Sequence, residues 1–109
     1  MEQYHFGEIV LLSFPFADGT NSKKRPALIL LDTGDEDVVV ARITSQKVQT
    51  DYDCFLTDWQ QSGLLLPSIV RLHKLATIEK QLVDKVMGKL FEHDIDNVRT
   101  KLHTLWLMI

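Results

Sequence analysis

Only one cysteine, Cys54, stands in the 109 residues. An internal disulfide is therefore excluded, a reducing compartment suits the chain, and the thiol is expected to act as a small half-buried hydrophobe. There is no Walker loop, no GxGxxG, no GxSxG and no paired-cysteine motif, so nucleotide hydrolysis, dinucleotide binding and serine-esterase chemistry have no support. No apolar run approaches the roughly 18 residues that span a bilayer. The N-terminus carries Glu2 where a signal peptide would be basic, and its apolar run is interrupted by Pro15 and ended by Asp18. A soluble, cytoplasmic protein with no membrane partner is expected. His5, His93 and His103 lack companions at metal-ligand spacing, and Glu92-His93-Asp94 has neither the spacing nor the partners of a zinc site. No metal and no cofactor are expected.

An overall basic charge is also missing: the formal charge is −3 and the pI about 5.7, which argues against a nonspecific coat of nucleic acid. The charge is unevenly placed. Acids crowd positions 32–37 (DTGDED), whereas cations gather at Lys23–Arg25, at Arg42 and Lys47, and at Arg71 with Lys74. A local basic surface on an acidic protein calls for a short, specific anionic ligand.

With 45% hydrophobic residues in 109, the chain fills one domain, residues 1–109, and not two. The stretch Phe6–Leu31 organises it: two apolar runs, Ile9–Phe16 and Ala27–Leu31, flank a polar loop ending in Lys23, Lys24 and Arg25, with Pro26 closing the loop. The first strand is expected to stop near Ser13 and the return strand to run over Ala27–Asp32. Further strands are expected at Val38–Thr44, Tyr52–Leu56 and Ser68–Leu72 continuing toward Ala76, with a turn at Thr33–Asp37 and a loop at Asp58–Gly63. Lys85–Leu90 reads as strand because Gly88 would weaken a helix interior by about 1 kcal/mol. Asp94 is a candidate N-cap for a terminal helix whose Ile95, Val98, Leu102, Leu105, Trp106 and Ile109 share one face, with Trp106 in the core. The fold class is mainly β (α+β), a small β-barrel or bent sheet with a C-terminal α-helix.

Arg25 leads the candidate site because its planar, permanently charged fork suits a phosphate, although a loop charge or a salt bridge would also account for it. Thr44, Ser45 and Gln46 stand where an apolar strand runs out; they can donate to phosphate or base edges, or simply make a turn. Arg71 and His73 alternate on one strand and so face the same way, either as a cation beside a proton-transferring imidazole or as a solvated pair. Trp59 is a candidate for base stacking.

In order along the chain, FGEIVLLSFPF, KKRPALIL, ARITSQ, IVRLHKL and ATIEKQLV resemble the MazF/PemK family of type II toxin–antitoxin toxins, over most of the chain. The resemblance implies a small SH3-like barrel (CcdB/MazF-like) with a C-terminal helix, a homodimer, and sequence-specific, metal-independent cleavage of single-stranded RNA such as mRNA. It implies further that the essential arginine before proline is Arg25 and the essential threonine is Thr44. An Arg-x-Asp pair used by some members falls on Arg71 and His73, a departure: His73 then serves as base with Arg71 as second cation, or Arg25 and Thr44 suffice. The tip Gly19, Thr20, Asn21 and Ser22 is expected to be mobile and to choose the substrate, with Lys24, Ser45, Gln46 and Lys47 as further substrate contacts. Attack by a ribose 2′-hydroxyl would leave a 2′,3′-cyclic phosphate, and a cognate antitoxin with an acidic disordered tail would block the basic channel. The related CcdB toxins, which bind DNA gyrase, mark an alternative without catalysis, and a degenerate toxin that only binds antitoxin is another.

Overall fold

The computed structural model describes residues 2–15, 22–47 and 50–109. The β-branched and aliphatic runs form β1 (Glu8–Pro15), β2 (Ser22–Leu31), β3 (Asp37–Thr44), β4 (Asp53–Phe55), β5 (Ile69–Glu79) and β6 (Val83–Lys89), followed by helix α1 (Glu92–Leu107). All pairings are antiparallel, and the order across the sheet is β4-β5-β3-β2-β1-β6. The architecture is thus mainly β with a C-terminal helix, as the sequence implies. Among the described residues the edge strands β4 and β6 do not pair, so hydrogen bonding leaves the sheet open where a closed SH3-like barrel was expected.

The segment between β4 and β5 lies across β6 instead. A Cβ at Gly88 would overlap the Ser62 carbonyl oxygen, and one at Gly63 would overlap the Met87 carbonyl. Gly63 also has a φ of 92°, which a side chain disfavours. Two glycines therefore let backbone meet backbone at that edge.

Both faces of the central strands are buried, which explains their near-continuous apolar sequence. Ile9, Leu28, Ala41, Ile43, Val70 and Leu72 belong to one cluster, under the helix; Val10, Leu12, Ala27, Ile29, Val38 and Val40 belong to the other. Each fully buried Leu or Ile side chain contributes about 1.5–3 kcal/mol. The helix seats Val98 in the first cluster, with Ile95, Leu102 and Leu105 packed against it. Cys54 is buried, and burial with the Asp94 charge pushes its thiol pKa up.

Several boundaries differ from the sequence reading. β1 runs to Pro15 and β2 begins at Ser22 because the two strands stay paired from Ile9↔Leu28 to Pro15↔Ser22; Lys23–Arg25 and Pro26 lie within a strand, not in a loop. β5 runs on to Glu79, held by β3. The helix starts at Glu92 after the N-cap Phe91, so Asp94 sits in the first turn. Its buried carboxylate accepts from the Thr57 and Asp58 amides at 2.9 and 2.8 Å, tying the β4–β5 segment to the helix. Trp59 packs against the core, whereas Trp106 is 73% exposed, since the helix end projects beyond the cluster.

Candidate functional site

Pro26 decides where two strands part. Between β2 and β3 the register runs Ile29↔Val40, Leu28↔Ala41 and Ala27↔Arg42, and stops there. Beyond it β2 remains with β1 as far as Ser22, while β3 remains with β5 as far as Thr44↔Ile69. The Gly7 amide donates to the Ile29 carbonyl at 3.0 Å, which aims the backbone groups of Ile29 toward β1. By alternation, those of Ala27 and Arg25 also aim toward β1, and those of Leu28 and Pro26 toward β3. Proline has no N–H to give. The ladder to β3 therefore ends at Pro26 and the sheet forks.

Continuing the same register two residues further sets Arg25 opposite Thr44, one on each arm of the fork. A cleft of about 430 Å³ fills it, lined by Lys23, Lys24, Arg25, Thr44, Ser45 and Gln46 over an apolar floor that includes Ile43, Leu64 and Met87. Arg25 is half-buried and makes no ion pair with any described residue, whereas Lys24 reaches Asp84 at 3.1 Å. The Thr44 Oγ1 accepts from the Gln46 amide at 3.1 Å, the turn contact that the residue types allow. Its own hydroxyl hydrogen is left to donate outward. A half-buried guanidinium facing a hydroxyl is a seat for a tetrahedral anion.

Arg71 and His73 are brought together, but not into this cleft. The Arg71 Nε bonds Asp53 Oδ1 at 3.0 Å, and its Nη2 lies 3.4 Å from the His73 Nε2. Because arginine only donates, that nitrogen accepts. The His73 ring also rests against Tyr52, centroids 5.2 Å apart. Burial pushes the Asp53 carboxyl up, yet bonds from Arg71 and from the Thr50 hydroxyl and amide outweigh it and hold the carboxyl below its ordinary value. Arg71 stands across from Arg42 in register, and Asp53 offsets a like-charge pair that would otherwise be unfavourable.

Two further depressions adjoin the fork. One, of about 400 Å³, joins Arg25 to Arg42 and Lys74 over Val40 and Ala76; neither Arg42 nor Lys74 makes an ion pair with a described residue. The other, of about 270 Å³, is lined by Ser45, Gln46, Lys47, Phe55, Leu66 and Ile69. Phe55 escapes a site reading by sequence, and Arg42 and Lys74 are read there only as members of a local basic surface, because only the strand register brings them to the fork. Gly19, Thr20 and Asn21 lie outside the described residues, and Ser22 opens β2. Among the described residues, no group of three or more His, Cys, Asp or Glu is placed to hold a metal ion, and no helix is long and apolar enough to cross a membrane.

Residues 5–106 match the profile of the PemK-like, MazF-like toxins of type II toxin–antitoxin systems. No curated protein sequence matches the chain. Among solved structures, a MazE–MazF crystal form from Deinococcus radiodurans superposes with TM-score 0.79 at 18% identity, covering 100% of both chains. An endoribonuclease in complex with its cognate antitoxin, from a mycobacterial species, gives 0.76 at 16% identity and covers 98% of each chain. The Mycobacterium tuberculosis toxin MazF-mt6 gives 0.70 at 20%, covering 89% of this chain and 95% of its own. At these identities the shared property is the fold.

Proposed function

This chain belongs to the PemK-like, MazF-like toxin family of type II toxin–antitoxin systems, and on that footing we propose that it is a sequence-specific endoribonuclease cutting single-stranded RNA at the Arg25–Thr44 fork without a metal. The observation that carries this reading is the half-buried Arg25, unpaired among the described residues and set opposite Thr44 in a cleft with Ser45 and Gln46. A gyrase-binding surface has no need of that polar set.

In the proposed reaction the ribose 2′-oxygen attacks the adjacent phosphorus and loses its proton to water in the open cleft. The bond from phosphorus to the 5′-oxygen breaks, and that oxygen takes a proton from water. The products are a 2′,3′-cyclic phosphate and a free 5′-hydroxyl. Arg25 neutralises the charge that builds on the phosphorane, the kind of preorganised stabilisation that dominates many enzymes, and Thr44 donates to a phosphate oxygen. We place the chemistry on these two residues and assign the Arg71–His73 pair a supporting role, because the His73 Nε2 is already occupied by Arg71. The RNA backbone continues from Arg25 over Arg42 and Lys74.

The same cleft suits the acidic disordered tail of a cognate antitoxin, which would exclude RNA by occupying Arg25. Solved relatives include toxin–antitoxin complexes, in keeping with such a partner. The active form is a homodimer in the cytoplasm. Incubation of the purified protein with a mixed RNA pool in EDTA, with end mapping, tests the reading. Discrete cuts with cyclic-phosphate ends are expected; an intact pool would turn the reading toward binding without catalysis.

A further inference from the structure

Phe55 is 59% exposed in the middle of an otherwise ordinary burial pattern. Its neighbours Cys54 and Leu56 are buried, so alternation along the strand turns Phe55 outward. Burying such a ring is favourable, and the fold leaves that contribution unused.

Register gives the ring a definite place. Phe55 pairs with Ile69, and Ile69 pairs with Thr44, with Arg25 next across the fork. Residues directly opposite one another project to the same face, so Phe55, Thr44 and Arg25 share one row on one face. With strands 4.7–4.9 Å apart, Phe55 stands about 10 Å from Thr44. The depression beneath it shares Ser45, Gln46 and Leu66 with the Arg25–Thr44 cleft, so the two are continuous. Its rim is mixed: Leu66, Pro67 and Ile69 extend the apolar surface beside the ring, while the Gln46 amide offers a donor and an acceptor, and Lys47 offers a cation.

We propose that Phe55 is the stacking platform for a base flanking the scissile phosphate, with Gln46 at the base edge and Lys47 toward the adjoining phosphate. The proposal rests on the RNA-cleaving reading above. A flat apolar face, an amide and a cation in one depression match the three parts of a nucleotide, and single-stranded RNA presents unstacked bases to aromatic side chains.

The test uses the full chain as wild type and as Phe55→Ala, Phe55→Leu and Phe55→Trp, with an RNA oligonucleotide carrying a site that the wild type cuts. A second oligonucleotide with a 2′-deoxy sugar at the attacking nucleotide measures binding alone. Stacking on an aromatic is worth about 1–3 kcal/mol per base, so Phe55→Ala should weaken binding and raise KM by roughly 5- to 150-fold, with kcat within about twofold. Phe55→Leu should behave like alanine, Phe55→Trp should restore binding, and thermal melts of all four should coincide. Wild-type affinity in the leucine or alanine variant would overturn the proposal. So would an alanine variant with unchanged KM that shifts from dimer to monomer in sedimentation, which would assign Phe55 to a subunit interface. If the wild type cuts no RNA at all, the endoribonuclease reading itself has failed.

Discussion

Arg25 of β2 and Thr44 of β3 stand opposite each other across a fork that opens where Pro26 withholds its hydrogen bond. The two residues are 19 positions apart in sequence and hold their separation because each arm remains paired on its far side, β2 to β1 and β3 to β5. The cleft between them is thus framed by rigid strands.

Thr44 Oγ1 accepts from the Gln46 amide at 3.1 Å, and in the proposed reaction the same hydroxyl offers its hydrogen to the substrate. Thr44→Val removes both, whereas Thr44→Ser keeps them. The valine variant should lose roughly 10²-fold or more in kcat, the scale of deleting one preorganised donor, while the serine variant stays within several-fold. Single-turnover cleavage of a mapped site measures this, and equal rates for valine and wild type would remove Thr44 from the chemistry.

Arg42 and Lys74 line the depression that continues from Arg25. If RNA phosphates run over them, the double variant Arg42→Gln/Lys74→Gln should reduce the slope of log affinity against log salt by about 1.4, at roughly 0.7 per phosphate contact on a single strand. An unchanged slope would mean that the backbone takes another path.

Acid stability should depend on Asp32. Its carboxylate accepts from the Tyr4 amide at 2.7 Å, from Lys80 at 2.9 Å and from the Gly34 amide at 2.8 Å. These bonds, the Tyr4 amide first, lower its pKa from 3.8 to about 2. A group with a depressed folded-state pKa stabilises the fold above its unfolded value and loses that contribution as pH falls through the folded one. Melting temperature should therefore drop between about pH 4 and pH 2. Asp32→Asn should melt lower than wild type at pH 7 and show a shallower acid limb; parallel limbs would show that other carboxylates govern acid unfolding.

Gly88 is the point where the β4–β5 segment touches β6, and a Cβ there would collide with the Ser62 carbonyl. Gly88→Ala should cost about 1–3 kcal/mol, the usual range for overpacking, read from urea unfolding. Gly34→Ala offers a contrast, since a Cβ there meets nothing within 4 Å although its φ is 93°. The Gly88 effect should be the larger.

Much of the sheet is legible in the sequence because ALIL and VVVARI are strands buried on both faces, and their apolar runs show it. Thr44 is legible as a polar residue type at a strand end, and Arg25 as a cation beside Pro26, though within β2 and not at its edge. What the sequence hides is register. Pro26 reads as a loop closure because prolines rarely sit inside strands, yet here its missing N–H separates β2 from β3 within the sheet. Asp94 has the chemistry of an N-cap, but its carboxylate is taken by the Thr57 and Asp58 amides, a contact fixed only by tertiary packing. Arg71 and His73 do share a face, as alternation requires; that Asp53 on β4 and Tyr52 just before it would claim them depends on a three-residue strand too short to announce its partner.

The central claim is that Arg25 stabilises the reacting phosphate, and cleavage by Arg25→Ala in EDTA tests it most directly. Wild type and variant are incubated with the same RNA pool, with circular dichroism and sedimentation confirming an unchanged fold and assembly. The account predicts discrete wild-type cuts ending in 2′,3′-cyclic phosphate and a rate for the variant lower by at least about 10²–10³-fold. An Arg25→Ala protein that cuts the pool at the wild-type rate would contradict it.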